Sequence, residues 1–156
     1  CSVGGRLFNA RMKAGNFDDG RMLQALDYAH ARGGKVVVTM NTLIFDEEME
    51  EAVEYAGCLY RAGVDALIVQ DLGLGRRIHE ELPDFPLHLS TQGTACDGEA
   101  VALAKELGYE RVVLSRELSL AEIKEIREHI PEEMEIETFI HGAMCISYSG
   151  RCLLSN

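Results

Sequence analysis

The sequence lacks the marks of several protein classes. No stretch of its 156 residues approaches the roughly 18 consecutive apolar residues of a membrane helix, so no membrane partner is expected. Basic residues are scarce, 15 Lys and Arg against 26 Asp and Glu, for a formal net charge of −11. A surface this acidic repels phosphate backbones at long range, so a nucleic-acid role requires a local basic patch working against the net field. Neither an initiator Met nor a basic-then-apolar leader precedes the first residues, and the five cysteines (Cys1, Cys58, Cys96, Cys145, Cys152) are an odd number. That pattern reads as a reducing, cytoplasmic setting, with thiols free or on metal rather than in a disulfide framework. With 47% hydrophobic and 26% charged residues, the chain is neither a disordered tail, a collagen-like repeat nor a coiled-coil rod. It also has no linker or low-complexity stretch, so residues 1–156 read as a single domain.

What is present is an alternation. Apolar runs at Lys35–Met40, Asp65–Val69, Pro86–Leu89, Arg111–Leu114 and Glu135–Ile140 are rich in Val, Ile and Leu, as in strands buried on both faces. Amphipathic stripes lie between them. Met22, Leu23, Leu26, Ala29 and His30 form one, closed by Gly33, and Met49, Val53, Ala56, Leu59 and Tyr60 form another, closed by Gly63. Ser119 and Glu122 form a capping box ahead of Ile123, Ile126 and Ile130, and Pro131 stops that helix. Weaker patterns mark helices over Asp71–Leu82 and before Gly108. Right-handed βα crossovers at this spacing give a parallel sheet.

A doubly wound open sheet and a (βα)8 barrel both fit. The open sheet usually carries a glycine-rich phosphate loop, but Gly73-Leu74-Gly75 is followed by Arg76 and Arg77 and reads as a turn. Polar residues at strand ends favour the barrel: Asn41, Gln70 and Asp71, Ser90 and Gln92, Arg116 and Glu117, and His141. In a barrel these positions converge on one mouth. A full barrel takes about 250 residues. Five clear strands and the stump Ser2-Val3-Gly4 therefore predict a partial (βα)8 TIM-type barrel, a fragment of a longer catalytic domain, with exposed edge strands through which it dimerises.

The segment Glu137–Ser155 carries the sharpest signal. Cys145 and Cys152 follow a strand end among small and hydroxylated residues, with Gly142 and Gly150 free to turn tightly. Thiolates there suit zinc, an iron–sulfur cluster or a nucleophile, and two buried thiols in a reducing cytosol are the plain alternative. The segment resembles the signature of the U32 peptidase family, the collagenase-like proteins. Glu137, Phe139, Gly142, Ala143, Met144, Cys145, Gly150, Cys152, Leu154 and Ser155 fill its fixed places. Upstream, Phe8-Asn9-Ala10-Arg11, Ala14-Gly15-Asn16-Phe17, Gln70-Asp71-Leu72-Gly73, Ser90-Thr91-Gln92 and Arg116-Glu117-Leu118 are similar to family blocks.

The resemblance implies a barrel enzyme. Relatives hold a 4Fe–4S cluster on four cysteines and take part in oxygen-independent hydroxylation of RNA bases or quinone precursors, with prephenate used by the RNA-modifying ones. Others are described as collagenase-like proteases. By motif position, Cys145 and Cys152 look like two of the four cluster ligands. The expected activity is RNA base hydroxylation, with RNA as the substrate. Peptide hydrolysis and a non-catalytic fragment are the alternatives.

The remaining candidates come from the residues themselves. His141 at a strand end is either a proton donor or substrate ligand, or a half-buried structural histidine. Glu137 alternates with Phe139 and His141 along one strand, so the three share a face, and a carboxylate inside a barrel needs a partner, for which Arg116 stands closest. Alternatively, Arg116 binds a substrate carboxylate. Asn41, Gln70 and Gln92 are the expected substrate-binding residues. His88 inside an apolar strand reads as structural. His30, His79 and His129 read as helix residues without partners.

Overall fold

A computed structural model of the chain describes residues 2–5, 7–8, 19–142 and 145–151. Six strands alternate with helices: β1 (Ser2–Gly4), β2 (Val37–Met40), β3 (Ala66–Val69), β4 (Leu87–Leu89), β5 (Arg111–Val113) and β6 (Glu135–Glu137). The helices are α1 (Asp19–His30), α2 (Met49–Arg61), α3 (Leu72–Glu81), α4 (Gly98–Glu106) and α5 (Leu120–His129). All neighbouring strands are parallel, and their order in the sheet is the order in the chain. A doubly wound sheet would reverse direction midway. Sequential right-handed crossovers instead place every helix on one face, the arrangement of a (βα)8 barrel, and these six strands form part of one.

Strand alternation sorts the side chains onto two faces. Val38, Met40, Leu67, Val69, Leu87, Leu89 and Val112 point toward the helices. There they pack with Val53, Ala56, Leu74, Ile78, Val101, Ala104 and Ile126 in one core. The other face carries a row in register, Thr39 beside Ile68, Ile68 beside His88, His88 beside Arg111, and Arg111 beside Glu135. This is the inner face of the barrel. It is polar toward β6, where Glu135 and Glu137 are exposed and only Ile136 packs against the core. Burial on both faces, expected for every strand, therefore fails at β6, whose inner face carries charge.

The helix ends follow the sequence signals. Ser119 Oγ accepts from Glu122 N–H and Glu122 accepts from Ser119 N–H at 2.7 Å, so the capping box closes as expected. Asp71 caps α3 by accepting from Leu74 N–H at 2.9 Å, and its second oxygen accepts from Ile44 N–H at 3.2 Å. Asp71 is thus occupied by structure.

Several expectations are corrected. Gly73-Leu74-Gly75 is not a turn but the first part of α3. Gly75 is needed because the buried Tyr109 ring lies against it: a Cβ there would come within 2.5 Å of Tyr109 Cζ. His30 has a partner, since its Nε2 lies 2.9 Å from Asp65 Oδ2, which also accepts from Val36 N–H at 2.7 Å. Although burial opposes it, these bonds and the nearby His30 and Lys35 charges hold the Asp65 carboxyl below its usual value. His129 bonds its own helix at Glu125 O, 2.7 Å away. Finally, β6 ends at Glu137 rather than Ile140, so Phe139 and His141 do not continue its face; Phe139, Ile140 and His141 are exposed.

Candidate functional site

The strand ends build one rim. Asn41 follows β2, Gln70 follows β3, Ser90, Thr91 and Gln92 follow β4, and Arg116 and Glu117 lie just beyond β5. In a parallel sheet all of these are carboxyl ends and lie along the same edge. Asn41, Gln70 and Gln92 are half-buried there. Gln92 sits in a short 3-10 turn opened by Ser90, whose Oγ accepts from Gln92 N–H at 3.2 Å. Ser115 is buried at the same level. Its Oγ is the only buried side-chain oxygen or nitrogen among the described residues that lacks a hydrogen-bond partner. An unpaired buried hydroxyl costs free energy unless water or a ligand meets it.

The cysteine loop is tied to this rim. Arg116 Nη1 donates to Cys145 O at 2.6 Å and Nη2 to Ser147 O at 2.6 Å, while Nε donates to Ser149 Oγ at 3.3 Å. The Arg116 backbone N–H donates to Ser149 Oγ as well, at 3.2 Å. Glu117 accepts from Ser149 N–H at 2.6 Å. Burial works to raise the Glu117 pKa, but the Ser149 N–H and the Arg116 charge outweigh it and hold the carboxyl below its usual value. From the β4 side, Thr91 Oγ1 lies 3.4 Å from Ser149 Oγ, and Thr94 Oγ1 donates to Ser149 O at 3.3 Å. Ser149 is therefore buried although its neighbours Ile146 and Tyr148 are exposed. Arg116, Glu117, Cys145, Ile146, Ser147 and Tyr148 line a shallow depression of about 210 Å³.

The sequence-predicted residues separate into groups. Arg116 and Cys145 come together, through a backbone carbonyl. Glu137 does not meet Arg116. Its partner is Arg111, at 3.4 Å, which also binds Glu135 through Nε at 2.7 Å. Register explains the difference: Arg111 lies opposite Glu135 on the inner face, whereas Arg116 lies beyond the end of β5. His141 is exposed and forms no hydrogen bond or ion pair among the described residues. Cys152 lies outside the described residues, as does Cys1. Cys145 is exposed and in no disulfide, and so are Cys58 on α2 and Cys96 beyond β4. Sequence reasoning did not single out Ser149, Thr91 and Thr94 as anchors. The one available signal was Gly150, whose positive φ marks where the loop turns back against β4.

The donor set at the rim fits in part the cluster that the family resemblance implies. Cys145 suits it in kind, as an exposed thiol at the open edge of the site, and Cys152 follows in the same motif. Among the described residues no three His, Cys, Asp or Glu side chains gather around one point. A 4Fe–4S cluster normally takes four thiolates, and this motif has two cysteines to offer one.

The fold is that of a barrel protein, with the candidate site at the strand carboxyl ends. Comparison with known proteins specifies the class: Peptidase family U32 matches residues 2–156, and the chain belongs to that family. It is 40% identical over 148 residues to tRNA hydroxylation protein P of Escherichia coli (strain K12), covering 95% of this chain and 32% of that protein. It is 42% identical over 158 residues to the 23S rRNA 5-hydroxycytidine C2501 synthase of the same organism, covering 99% of this chain and 23% of that one. The chain thus spans about a third or less of these relatives. Among solved structures, a U32 peptidase superposes with a TM-score of 0.67 at 20% identity, over 78% of this chain and 51% of that one, a likeness of fold.

Proposed function

We propose that this chain is the cysteine-motif part of an enzyme that hydroxylates a base in tRNA or rRNA without molecular oxygen. The observation that carries this reading is the anchored loop of Cys145 on the barrel rim, in a chain about 40% identical over nearly its whole length to proteins named for RNA hydroxylation. Cys145 and Cys152 serve as two of four thiolates holding a 4Fe–4S cluster, which supplies one-electron chemistry when bound. Asn41, Gln70 and Gln92 offer paired donors and acceptors to the edge of an extruded base or to an organic hydroxyl donor such as prephenate. The unpaired Ser115 hydroxyl lies at the same level. A cytoplasmic location goes with this reading, since that is where tRNA and rRNA are modified in such a scheme.

The acidic surface limits how RNA is held. Arg76, Arg77, Lys105, Arg111 and Lys124 are each paired with carboxylates of this chain. RNA recognition here relies on contacts to an unstacked base more than on phosphate attraction. The peptidase reading requires a base within hydrogen-bond reach of the nucleophile, and His141, four residues before Cys145, makes no such bond among the described residues.

The test is anaerobic purification of the full-length protein, with iron and sulfide assays and mass spectrometry of nucleosides from RNA of cells carrying it or lacking it. Wild type should bind stoichiometric iron and produce a hydroxylated nucleoside, and Cys145→Ser and Cys152→Ser should each lose both. Iron and activity retained in the double variant would overturn the reading. So would proteolysis that depends on Cys145 alone.

A further inference from the structure

We propose that Arg116 is a positioning residue: with Glu117 it sets the path of the 145–151 loop and so the place of the Cys145 thiol. Each of its three guanidinium nitrogens already donates to the loop, to Cys145 O, Ser147 O and Ser149 Oγ. The planar fork of arginine suits two carbonyls two residues apart, which the single ammonium of lysine cannot span at once. Three of its five N–H donors are taken in this way, so the loop engages the guanidinium through all three of its nitrogens. The loop is also held on both sides. Glu117 takes the Ser149 N–H at 2.6 Å, and Thr94 donates to Ser149 O at 3.3 Å.

The composition of this anchor matters. Cys145 itself is exposed and Ile146 fully so, and among the described residues no apolar packing on the loop compensates for loss of the polar bonds. Charge-assisted bonds to two carbonyls and a carboxylate therefore fix a segment that would otherwise move freely. An ordered loop presents a thiol in one place before any metal arrives, which lowers the entropic cost of binding it. The consequence for iron rests on the function proposed above, while the positioning itself does not.

The experiment is hydrogen–deuterium exchange of the full-length protein, read by mass spectrometry on peptides covering residues 145–151, for wild type, Arg116→Met, Arg116→Lys and Ser149→Ala. In Arg116→Met the loop amides should exchange about tenfold faster or more. Arg116→Lys should restore protection only in part, and Ser149→Ala should loosen the same segment. Peptides from β2 to β4 should be unchanged in all three. In iron-loaded protein, the electron paramagnetic resonance spectrum of the reduced cluster should change in Arg116→Met while iron content persists.

Unchanged loop exchange in Arg116→Met would overturn the proposal, as would full rescue by Lys or faster exchange spread evenly over the sheet. Should Arg116→Met not fold, Ser149→Ala and Glu117→Gln decide the matter by the same peptides. Wild-type protein without iron would defeat the proposed function and leave the exchange result to judge the positioning alone.

Discussion

Gly150 rests against the β4 side of the rim so closely that Thr94 Oγ1 and Gln92 O occupy the space a side chain would need; a Cβ would lie 2.6 Å from Gln92 O. Its φ of 73° is also one that residues with a side chain adopt only at a cost. Both facts exclude Ala. Gly150→Ala should push the loop off Thr94 and raise exchange at residues 145–151, with a loss of global stability of about 1 to 3 kcal/mol by urea unfolding. A variant with wild-type exchange in that segment would show that the loop does not depend on this contact.

His88 should make stability depend on pH. Burial, and then the nearby Arg111 cation, lower its pKa from 6.5 to about 4. Between these values the unfolded chain binds a proton that the folded chain refuses, so stability is fully present above pH 6.5 and falls as pH drops toward 4. The loss at the bottom of that window amounts to roughly 3 kcal/mol. His88→Leu should flatten this part of the profile, leaving Asp65, Glu117 and Glu135, all held below their usual values, to account for losses at lower pH. Urea midpoints at pH 7 and pH 4.5 check it, and equal slopes for variant and wild type would contradict it.

Two helical glycines should respond with opposite signs. At Gly57 on α2, a Cβ would meet only Arg61 Nη1 at 3.4 Å, so Gly57→Ala should stabilise by about 0.5 to 1 kcal/mol. At Gly75 on α3 the Tyr109 ring occupies the space, and Gly75→Ala should destabilise by about 1 to 3 kcal/mol despite the better helix propensity. Thermal unfolding of the pair gives the comparison, and a gain at both sites would show that Tyr109 yields.

Removing the α5 cap should be visible alone. Ser119→Ala leaves Glu122 N–H without its acceptor and should cost about 1 kcal/mol. Exchange at the first turn of α5 should rise while the sheet stays protected, and no local change would mean the cap is redundant.

Local signals carried much of the architecture. The capping box at Ser119, the stops at Gly33 and Gly63, and the Val-rich runs mark elements through interactions a few residues apart, so they are readable without a fold. The motif likewise points to Cys145. The site was harder to read. Glu137 pairs with Arg111 and not Arg116 because the parallel register sets Arg111 diagonally across from it on the inner face. Arg116 meets the loop largely through backbone carbonyls, which sequence does not display.

By itself, then, the sequence determined the βα alternation, the helix ends and the family motif, because these rest on periodicity, on hydrogen bonds within one turn, and on residue identity. Tertiary structure decided which face each strand shows the helices, that Gly75 yields its space to Tyr109, and that Ser149, buried amid exposed neighbours, anchors the Cys145 loop to β4 and β5. Those outcomes depend on register and on contacts between segments 30 or more residues apart, as between Arg116 and Ser149, 33 positions apart. Such distances in the chain are closed only when the sheet forms.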